Sequence, residues 1–283
     1  MNWTPGKLRM YMNDWDDNLL FMPTKIRMEK KIGEKWVEIF VSTSEFSNIR
    51  LNPEYRPYKN KIELAFHDFR ETEPFLRDVK YCIENKLFGP SFLKFKESLI
   101  YANPVAINTA RGHKSSDLKL AVKLLIDKTF TEEEKIFMVN NIQKSYLYEK
   151  NYQLKFLYSV LSDFEEKIID FYLNDKVFYY TISSDEFSNN FQSEIDNTAL
   201  DPKLGKKIAI NDFIKKILND IYKMNNPNLT KISFGYSEDD KELIIEAIEY
   251  IKKDLLIIYP NIHFVIYDNS NEKTNKIIIN NYI

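Results

Sequence analysis

Hydrophobic and polar residues follow one another in blocks that predict alternating strands and helices. A mostly apolar run at 8–12 predicts a short buried strand that ends at several acids, and apolar character returns at 19–22. Runs rich in β-branched and aromatic residues predict further strands at 36–41, 61–66, 105–107, 177–182, 232–236 and 261–268. Helical spacing and capping residues predict helices at 74–85, 115–126, 131–149, 152–174, 204–218 and 241–253. Strand, polar turn and helix in succession predict an α/β fold with a parallel sheet.

The segment 30–100 departs from this pattern. It is irregular, and a polar stretch at 42–60, punctuated by Pro53 and Pro57, separates its two predicted strands. We therefore predict a core of residues 1–29 and 101–283, with a cap-like insertion at 30–100 after the first strand. An insertion at this place is well situated to cover a site. A second polar stretch, 183–202, is predicted to be a loop.

Composition narrows the classes of function. The formal net charge is -2, which gives no electrostatic reason to expect extended nucleic-acid binding, although it leaves room for a local basic patch. A single cysteine, Cys82, excludes an internal disulfide, and three histidines provide no clustered zinc ligands. Neither a signal sequence nor an apolar run of membrane-spanning length is present. We expect a cytoplasmic protein that does not enter a membrane.

The acids after the first predicted strand form the strongest chemical motif. Asp14 and Asp16 are two residues apart, so in an extended chain their carboxylates share one face and favour a bound cation, with magnesium suited to oxygen ligands. A polar turn without chemistry is the competing interpretation. A calcium loop is disfavoured, because Leu19 stands where that loop needs Gly and Lys25 where it needs Glu.

Three later polar sets lie near other predicted strand or helix ends. Thr109 follows a strand, Lys206 and Lys207 precede a helix, and Glu238, Asp239 and Asp240 follow the strand at 232–236. Each has an ordinary explanation: a local backbone partner, solvated lysines, and a capped helix start with Ser237 as the cap. Parallel sheets, however, bind ligands beyond the carboxyl ends of their strands, so these sets are predicted to meet at one phosphoryl-transfer site.

At this point the chain resembles the haloacid dehalogenase (HAD) superfamily of phosphatases. The resemblance rests on Asp14-Trp-Asp16, on Thr109 in Asn-Thr-Ala-Arg-Gly-His, on the paired lysines and on the late acids, in that order along the chain. It implies a Rossmann-like three-layer core, and it spans 8–25, 103–126 and 204–268. Asp17 stands where the family usually has Gly, and the last motif lacks the common Gly-Asp start.

Residue roles follow from this resemblance. It implies that Asp14 attacks phosphorus to form an aspartyl phosphate, and that Asp16 protonates the leaving oxygen and later activates water. Thr109 would hold the phosphoryl group and Lys207, favoured over Lys206, would offset its charge. The implied magnesium ligands are Asp14, the backbone carbonyl of Asp16, and the late acids Glu238 and Asp239, with Asp240 close behind. The candidate substrate-binding residues are Thr109, Ala110, Arg111 and Lys206.

The sequence thus predicts a magnesium-dependent phosphohydrolase acting on a small phosphomonoester. One alternative is a phosphatase for nucleotides or nucleic-acid ends, which a large basic surface beside Asp14 would favour. Another is a non-catalytic binding or assembly module that keeps the fold and the metal. Substrate identity and oligomeric state are not predicted, because no recognisable motif occurs in the 30–100 segment.

Overall fold

The strands form two separate sheets. The computed structural model describes residues 7–147, 163–195, 201–224, 231–271 and 273–280. Its strands are β1 (Lys7–Asn13), β2 (Ile26–Ile32), β3 (Lys35–Val41), β4 (Tyr55–Pro57), β5 (Val105–Thr109), β6 (Val177–Thr181), β7 (Lys231–Glu238), β8 (Ile262–Asp268) and β9 (Asn275–Ile279). The main sheet has six strands in the order β6-β5-β1-β7-β8-β9, and a small sheet has the order β3-β2-β4.

Helices connect these strands. They are α1 (Thr43–Ile49), α2 (Ile62–Ala65), α3 (Thr72–Glu84), α4 (Phe92–Ile100), α5 (Ser115–Thr129), α6 (Glu132–Ile142), α7 (Phe164–Asp175), α8 (Asp185–Asn190), α9 (Pro202–Met224), α10 (Lys241–Tyr250) and α11 (Leu256–Ile258). A π-helical turn, Gln143–Leu147, follows α6, and another, Ile251–Leu255, joins α10 to α11. Across the described ranges, no helix has both the length and the apolar character that crossing a membrane requires.

The order of the main sheet decides where a ligand site is expected. Its first five strands in chain order run parallel, arranged third, second, first, fourth, fifth, and β9 adds an antiparallel edge. The strand order therefore reverses between β1 and β7, which opens a crevice beyond their carboxyl ends. The predicted α/β fold with a mostly parallel, helix-flanked sheet is confirmed, and its layout is Rossmann-like.

Two hydrophobic clusters pack on the main sheet. The first includes the buried side chains of Trp15, Phe75, Phe95, Ile107 and Tyr172, which come from the turn after β1, from β5 and from helices along the first two thirds of the chain. The second includes Met10, Met12, Phe213, Phe234 and Phe264, where α9 and α10 pack on the central strands. Strands β1, β5 and β7 alternate little between buried and exposed residues, as expected of parallel strands inside a core.

The segment predicted as one insertion, 30–100, divides in two. The small sheet has its own cluster, which includes Ile26, Met28, Val41 and Phe69. Helices α3 and α4 instead contribute Phe75 and Phe95 to the first cluster of the main domain. The compact cap-like part therefore begins near residue 26 and ends near residue 70, and the two helices after it belong to the layer beside the main sheet.

Two local predictions change in the structure, and a third lies partly outside the described residues. The run 61–66, predicted as a strand, contains the short helix α2, whose Ala65 packs in the cluster of the small sheet together with Phe69 from the 3-10 turn that follows. The predicted loop 183–202 contains α8, which Ser184 caps by accepting a hydrogen bond from the amide of Phe187 at 3.0 Å. The helix predicted at 152–174 is described from Phe164 onward, and residues 148–162 lie outside the described residues.

Candidate active site

The ends of β1 and β7 bring distant acids together. Asn13 pairs in register with Ser237, and the amide of Asp14 donates a hydrogen bond to the carbonyl of Ser237 at 3.0 Å. Asp14 and Glu238 therefore leave adjacent strands side by side, at the crevice where the strand order reverses. The predicted meeting of the first and last acidic motifs is found in the structure.

Asp14, Glu238 and Asp239 form an acidic cluster. One carboxylate oxygen from each lies within 4.8 Å of the other two. Asp14 and Glu238 are buried, and Asp239 is half-buried. Lys206, which is 4% exposed, donates to Asp14 Oδ1 at 2.9 Å and to Glu238 Oε2. The hydroxyl of Tyr236 also donates to Glu238 Oε2, at 2.6 Å.

Charge in this cluster is not balanced by its own residues. Within the described chain, three clustered carboxylates share the ammonium of Lys206. Burial, with the nearby charge of Glu238, raises the pKa of Asp14 well above its usual range despite the opposing effect of Lys206. Burial together with Glu238 and Asp14 raises the pKa of Asp239 to about 10. Burial and mutual repulsion thus favour the protonated forms of Asp14 and Asp239, and a bound cation would reverse this preference.

A divalent cation fits this arrangement. The ligand atoms are all carboxylate oxygens, which suit hard cations such as Mg²⁺, and the surplus negative charge matches a positive ion. Among the described residues, no side chain or backbone group donates a hydrogen bond to the Asp239 carboxylate, so it is available as a ligand. Asp240 has another role: its Oδ1 accepts from the amides of Glu242 and Leu243 and caps α10.

The lysine that contacts Asp14 is Lys206. The prediction that Lys207 would be the lysine at this site is wrong. Lys207 lies one residue further around α9, where its Nζ is 2.8 Å from Glu246 Oε2. Gly205 sets this rotation, because a Cβ at that position would lie 2.1 Å from Cγ2 of Ile182. Burial alone would lower the pKa of the Lys206 ammonium, but Asp14 and Glu238 outweigh it and raise that pKa well above its usual value.

Thr109 lies at the end of β5, next to β1, as predicted. It is buried, and its Oγ1 accepts a hydrogen bond from the amide of Arg111 at 3.3 Å. No acceptor for the Thr109 hydroxyl proton lies among the described residues. Ala110, between these two residues, is exposed. The Thr109 hydroxyl thus lies at the carboxyl end of β5, on the strand next to β1.

Asp16 is directed away from the acidic cluster and pairs with Arg111. The guanidinium donates from Nε to Oδ2 at 2.8 Å and from Nη2 to Oδ1 at 2.6 Å. Arg111 is 1% exposed and also donates from Nη2 to Thr24 at 3.0 Å, while its Nη1 has no partner among the described residues. The ring of Phe69 lies 4.5 Å from the guanidinium carbon. The Asp16 side chain is therefore not a member of the cation site, and its backbone carbonyl accepts from the amide of Asn18 at 2.6 Å.

A buried polar network supports the turn that carries these acids. Asn18 donates from Nδ2 to the carbonyls of Asp14 and Ser237, and its Oδ1 accepts from Ser237 and from Asn269 at 2.6 Å. Asn269 also donates to Ser91, which precedes α4. Asp17, with φ at 54°, completes the turn and accepts from Thr43 of α1 at 2.5 Å. Sequence reasoning missed this network; the one signal for it was a polar Asn18 directly before an apolar run.

No model of a known protein family, no curated protein and no solved structure matches the chain. The geometry of the site and the order of the strands therefore carry the functional argument.

Proposed function

We infer that the chain is a magnesium-dependent phosphohydrolase that transfers the phosphoryl group of a phosphomonoester to Asp14. One observation carries this inference: a carboxylate trio, two of whose members are buried, lies with the buried Lys206 in the crevice between β1 and β7. Phosphoryl transfer needs positive charge around the nucleophile. In this crevice the ammonium of Lys206 and a cation bound by the carboxylates would supply that charge. The order of the motifs along the sheet agrees with the resemblance to the HAD superfamily.

Asp14, Glu238 and Asp239 would hold the magnesium ion. When bound, the ion polarises a phosphoryl oxygen and neutralises charge as phosphorus is attacked. The trio fits this task because its oxygens converge and its negative charge exceeds the charge of Lys206. The backbone carbonyl of Asp16 and a substrate oxygen would complete the ligand set.

Asp14 is the proposed nucleophile. Lys206 holds its Oδ1 at 2.9 Å and thereby fixes the orientation of the carboxylate. An Asp14 oxygen bonds to phosphorus as the ester P–O bond breaks, and the leaving oxygen takes a proton from Asp16. Water then attacks the phosphorus of the aspartyl phosphate, gives its proton to Asp16, and frees both Asp14 and inorganic phosphate. Protons and electron pairs balance over the two steps.

The proposed acid and base, Asp16, must first leave Arg111. Both oxygens of Asp16 accept hydrogen bonds from that guanidinium, whereas proton transfer needs one of them free. Arg111 is also held by Thr24 and packed against Phe69, so rotation of Asp16 is the smaller movement. A phosphoryl group entering beside Thr109 would replace Asp16 on the guanidinium, because arginine binds phosphate and carboxylate in the same forked geometry.

The tight pair of Asp16 and Arg111 also favours a second candidate function. A chain in which Asp16 remains bound to Arg111 would bind magnesium and phosphate without turnover and would act as a binding module. This candidate and the enzyme share the cation site and differ in whether phosphate is released. They are therefore separated by measuring binding and release on the same protein.

Release of inorganic phosphate from an aryl phosphate and from a panel of metabolite phosphomonoesters tests the proposal. The enzyme predicts release that requires Mg²⁺ and is lost in Asp14→Asn, while Asp240→Asn, which keeps the cap of α10, retains it. The module predicts calorimetric binding of Mg²⁺ that Asp14→Asn weakens, without release by any variant. A chain that neither binds Mg²⁺ nor releases phosphate contradicts both functions.

A further inference from the structure

Among the described residues, no helix packs over β7 and β8 on the face of the main sheet that carries Arg9 and His263, and α4 contacts β1 beside this area. Parallel strands are normally covered on both faces, and here the helices of the first cluster cover β5 and β6 instead. The uncovered surface is a groove with a volume of about 670 Å³. Across it run two rows of residues in register, Arg9 with Ser233 and His263, and Tyr11 with Gly235 and Val265.

Cations dominate this groove, which we call the basic groove. Its positively charged side chains are Lys7, Arg9, Lys94, Lys231 and Lys276. Among the described residues that line it there is no Asp or Glu, and Lys94 alone of the five is paired, with Glu97 at 2.6 Å. The formal net charge of the chain is -2, so this positive surface reflects a local concentration of cations and not an overall excess of them. Charge of this kind attracts a polyanion.

Aromatic rings lie among these cations. Tyr267 is half-buried and His263 is exposed, so both present ring surface to the groove. Gly235 allows the centre of the groove to be shallow: a Cβ there would lie 2.9 Å from Cδ1 of Tyr11 and 3.1 Å from Cε2 of Tyr267. The two tyrosine rings therefore lie close over the strand between them. Ring surface next to unpaired cations suits a ligand that has both flat bases and phosphates.

The basic groove is separate from the acidic cluster. Ser237, the next residue of β7 on the same face after Gly235, is enclosed by the buried network of Asn18, Ser91 and Asn269. That network lies between the groove and the carboxyl ends of the strands, where Asp14 is found. The groove is thus a second surface, and it does not supply the basic surface beside Asp14 that a nucleic-acid-end phosphatase would need.

We propose that the basic groove binds a segment of single-stranded nucleic acid, with phosphates on the lysines and bases on Tyr267 and His263. A duplex would need an element that projects into its major groove, and this surface is a recess on a sheet face. An acidic peptide would use the cations and leave the rings unused. An anionic membrane would contact the rim of the groove and would not reach the rings inside it. The combination of unpaired cations and ring surface favours single strands.

Fluorescence anisotropy of the full chain with a labelled oligothymidylate of about 15 nucleotides tests this assignment. The groove variant carries Arg9→Glu, Lys231→Glu and Lys276→Glu, all at exposed positions. Affinity of the natural chain should fall with salt with a logarithmic slope of about -3, as expected for roughly four neutralised phosphates. The groove variant should lose at least about tenfold in affinity and part of that slope.

A matched control carries the same change in net charge elsewhere. Lys80→Glu, Lys128→Glu and Lys252→Glu alter exposed lysines on α3, on α5 and on the turn between α10 and α11. This control should keep the affinity of the natural chain within about twofold, because nonspecific charge acts weakly at a distance. Circular dichroism of both variants verifies that the fold is retained.

The contribution of the rings is tested by Tyr267→Ala, which should weaken binding while leaving the salt slope unchanged. The proposal is overturned if the natural chain does not bind the oligonucleotide at low salt, or if the groove variant and the control lose affinity equally. It is also overturned if Tyr267→Ala binds as well as the natural chain. The matching duplex, polyglutamate and anionic vesicles serve as competitors beside unlabelled oligothymidylate. If any of the three competes more strongly than oligothymidylate, the groove binds another ligand and this proposal is rejected.

Discussion

Replacing Lys206 by Met tests the charge balance on which the candidate site depends. The methionine keeps most of the side-chain volume and removes the ammonium that contacts Asp14 at 2.9 Å and also Glu238. Removing one partner of a buried ion pair costs about 3–5 kcal/mol, and Lys206 at 4% exposed receives little screening from water. We expect a loss of unfolding free energy in this range at pH 8.

The same variant has a pH dependence with a definite sign. Without the ammonium, the pKa of Asp14 rises further above its already raised value, so the folded state holds its proton more tightly than the unfolded state does. Stability from such a group is present at low pH and is lost as pH rises. The cost of Lys206→Met should therefore be smaller at pH 5 than at pH 8, and added Mg²⁺ should recover part of it.

Urea unfolding followed by circular dichroism at the two pH values measures this cost, and Lys207→Met is the matched control. Lys207 pairs with Glu246 at the surface, with 32% of its side chain exposed, so its loss should change stability far less. Equal losses for the two variants would refute the assignment of Lys206 to the site. So would a cost of Lys206→Met that does not decrease on acidification.

Three further predictions concern other parts of the molecule. Because the pKa of Asp239 is raised to about 10 and that of Asp14 is raised as well, Mg²⁺ must displace protons from the cluster. Calorimetric affinity should therefore rise by at least about tenfold per pH unit below about pH 10, and Asp239→Asn should make this dependence less steep. Gly89→Ala should cost about 3 kcal/mol in urea unfolding, since its Cβ would lie 2.4 Å from the backbone oxygen of Asn18. Gly33→Ala, with nothing within 4 Å but φ at 60°, should cost about 1 kcal/mol, and equal costs would contradict the contact argument. Burial lowers the pKa of His113 to about 4, so the neutral imidazole contributes folding stability that is lost as pH falls from about 6.5 through 4. The free energy of unfolding of His113→Phe should therefore depend less on pH in that window, and a pH profile equal to that of the natural chain would exclude this role.

The order of strands and helices could be predicted, because each depends on the local spacing of hydrophobic residues and on local capping residues. The strand at 105–107 and the helix at 115–126 appear as β5 and α5, with bounds extended by a few residues. The position of acids just beyond two strands was also a local signal, and the general rule for parallel sheets was enough to bring Asp14 and Glu238 together.

The choice between two adjacent lysines could not be predicted from their residue types. Neighbouring residues on a helix point about 100° apart, so only the rotation of α9 decides which one faces the site. That rotation depends on the contact of Gly205 with Ile182, which belong to different elements. Lys206 therefore faces Asp14, and Lys207 faces Glu246.

Longer-range pairing explains the other differences. Ser237, predicted as a helix cap, is held in β7 by pairing with β1 and β8, and Asp240 caps α10 instead. The pair of Asp16 with Arg111 joins residues 95 positions apart, and Asn18 meets Asn269 across 251 positions. Contacts at such separations leave no periodic signal in the chain, since neither residue type nor spacing identifies the partner.

The place of β1 at the centre of the sheet has a consequence for biosynthesis. Its neighbour β7 begins at Lys231, so one edge of β1 stays unpaired in a growing polypeptide until synthesis has passed that residue. During that interval Asp14 is without Glu238 and Asp239, so the carboxylate trio does not exist. A chain terminated before Lys231 would therefore lack two of the three clustered carboxylates and would present an unpaired apolar strand edge for aggregation.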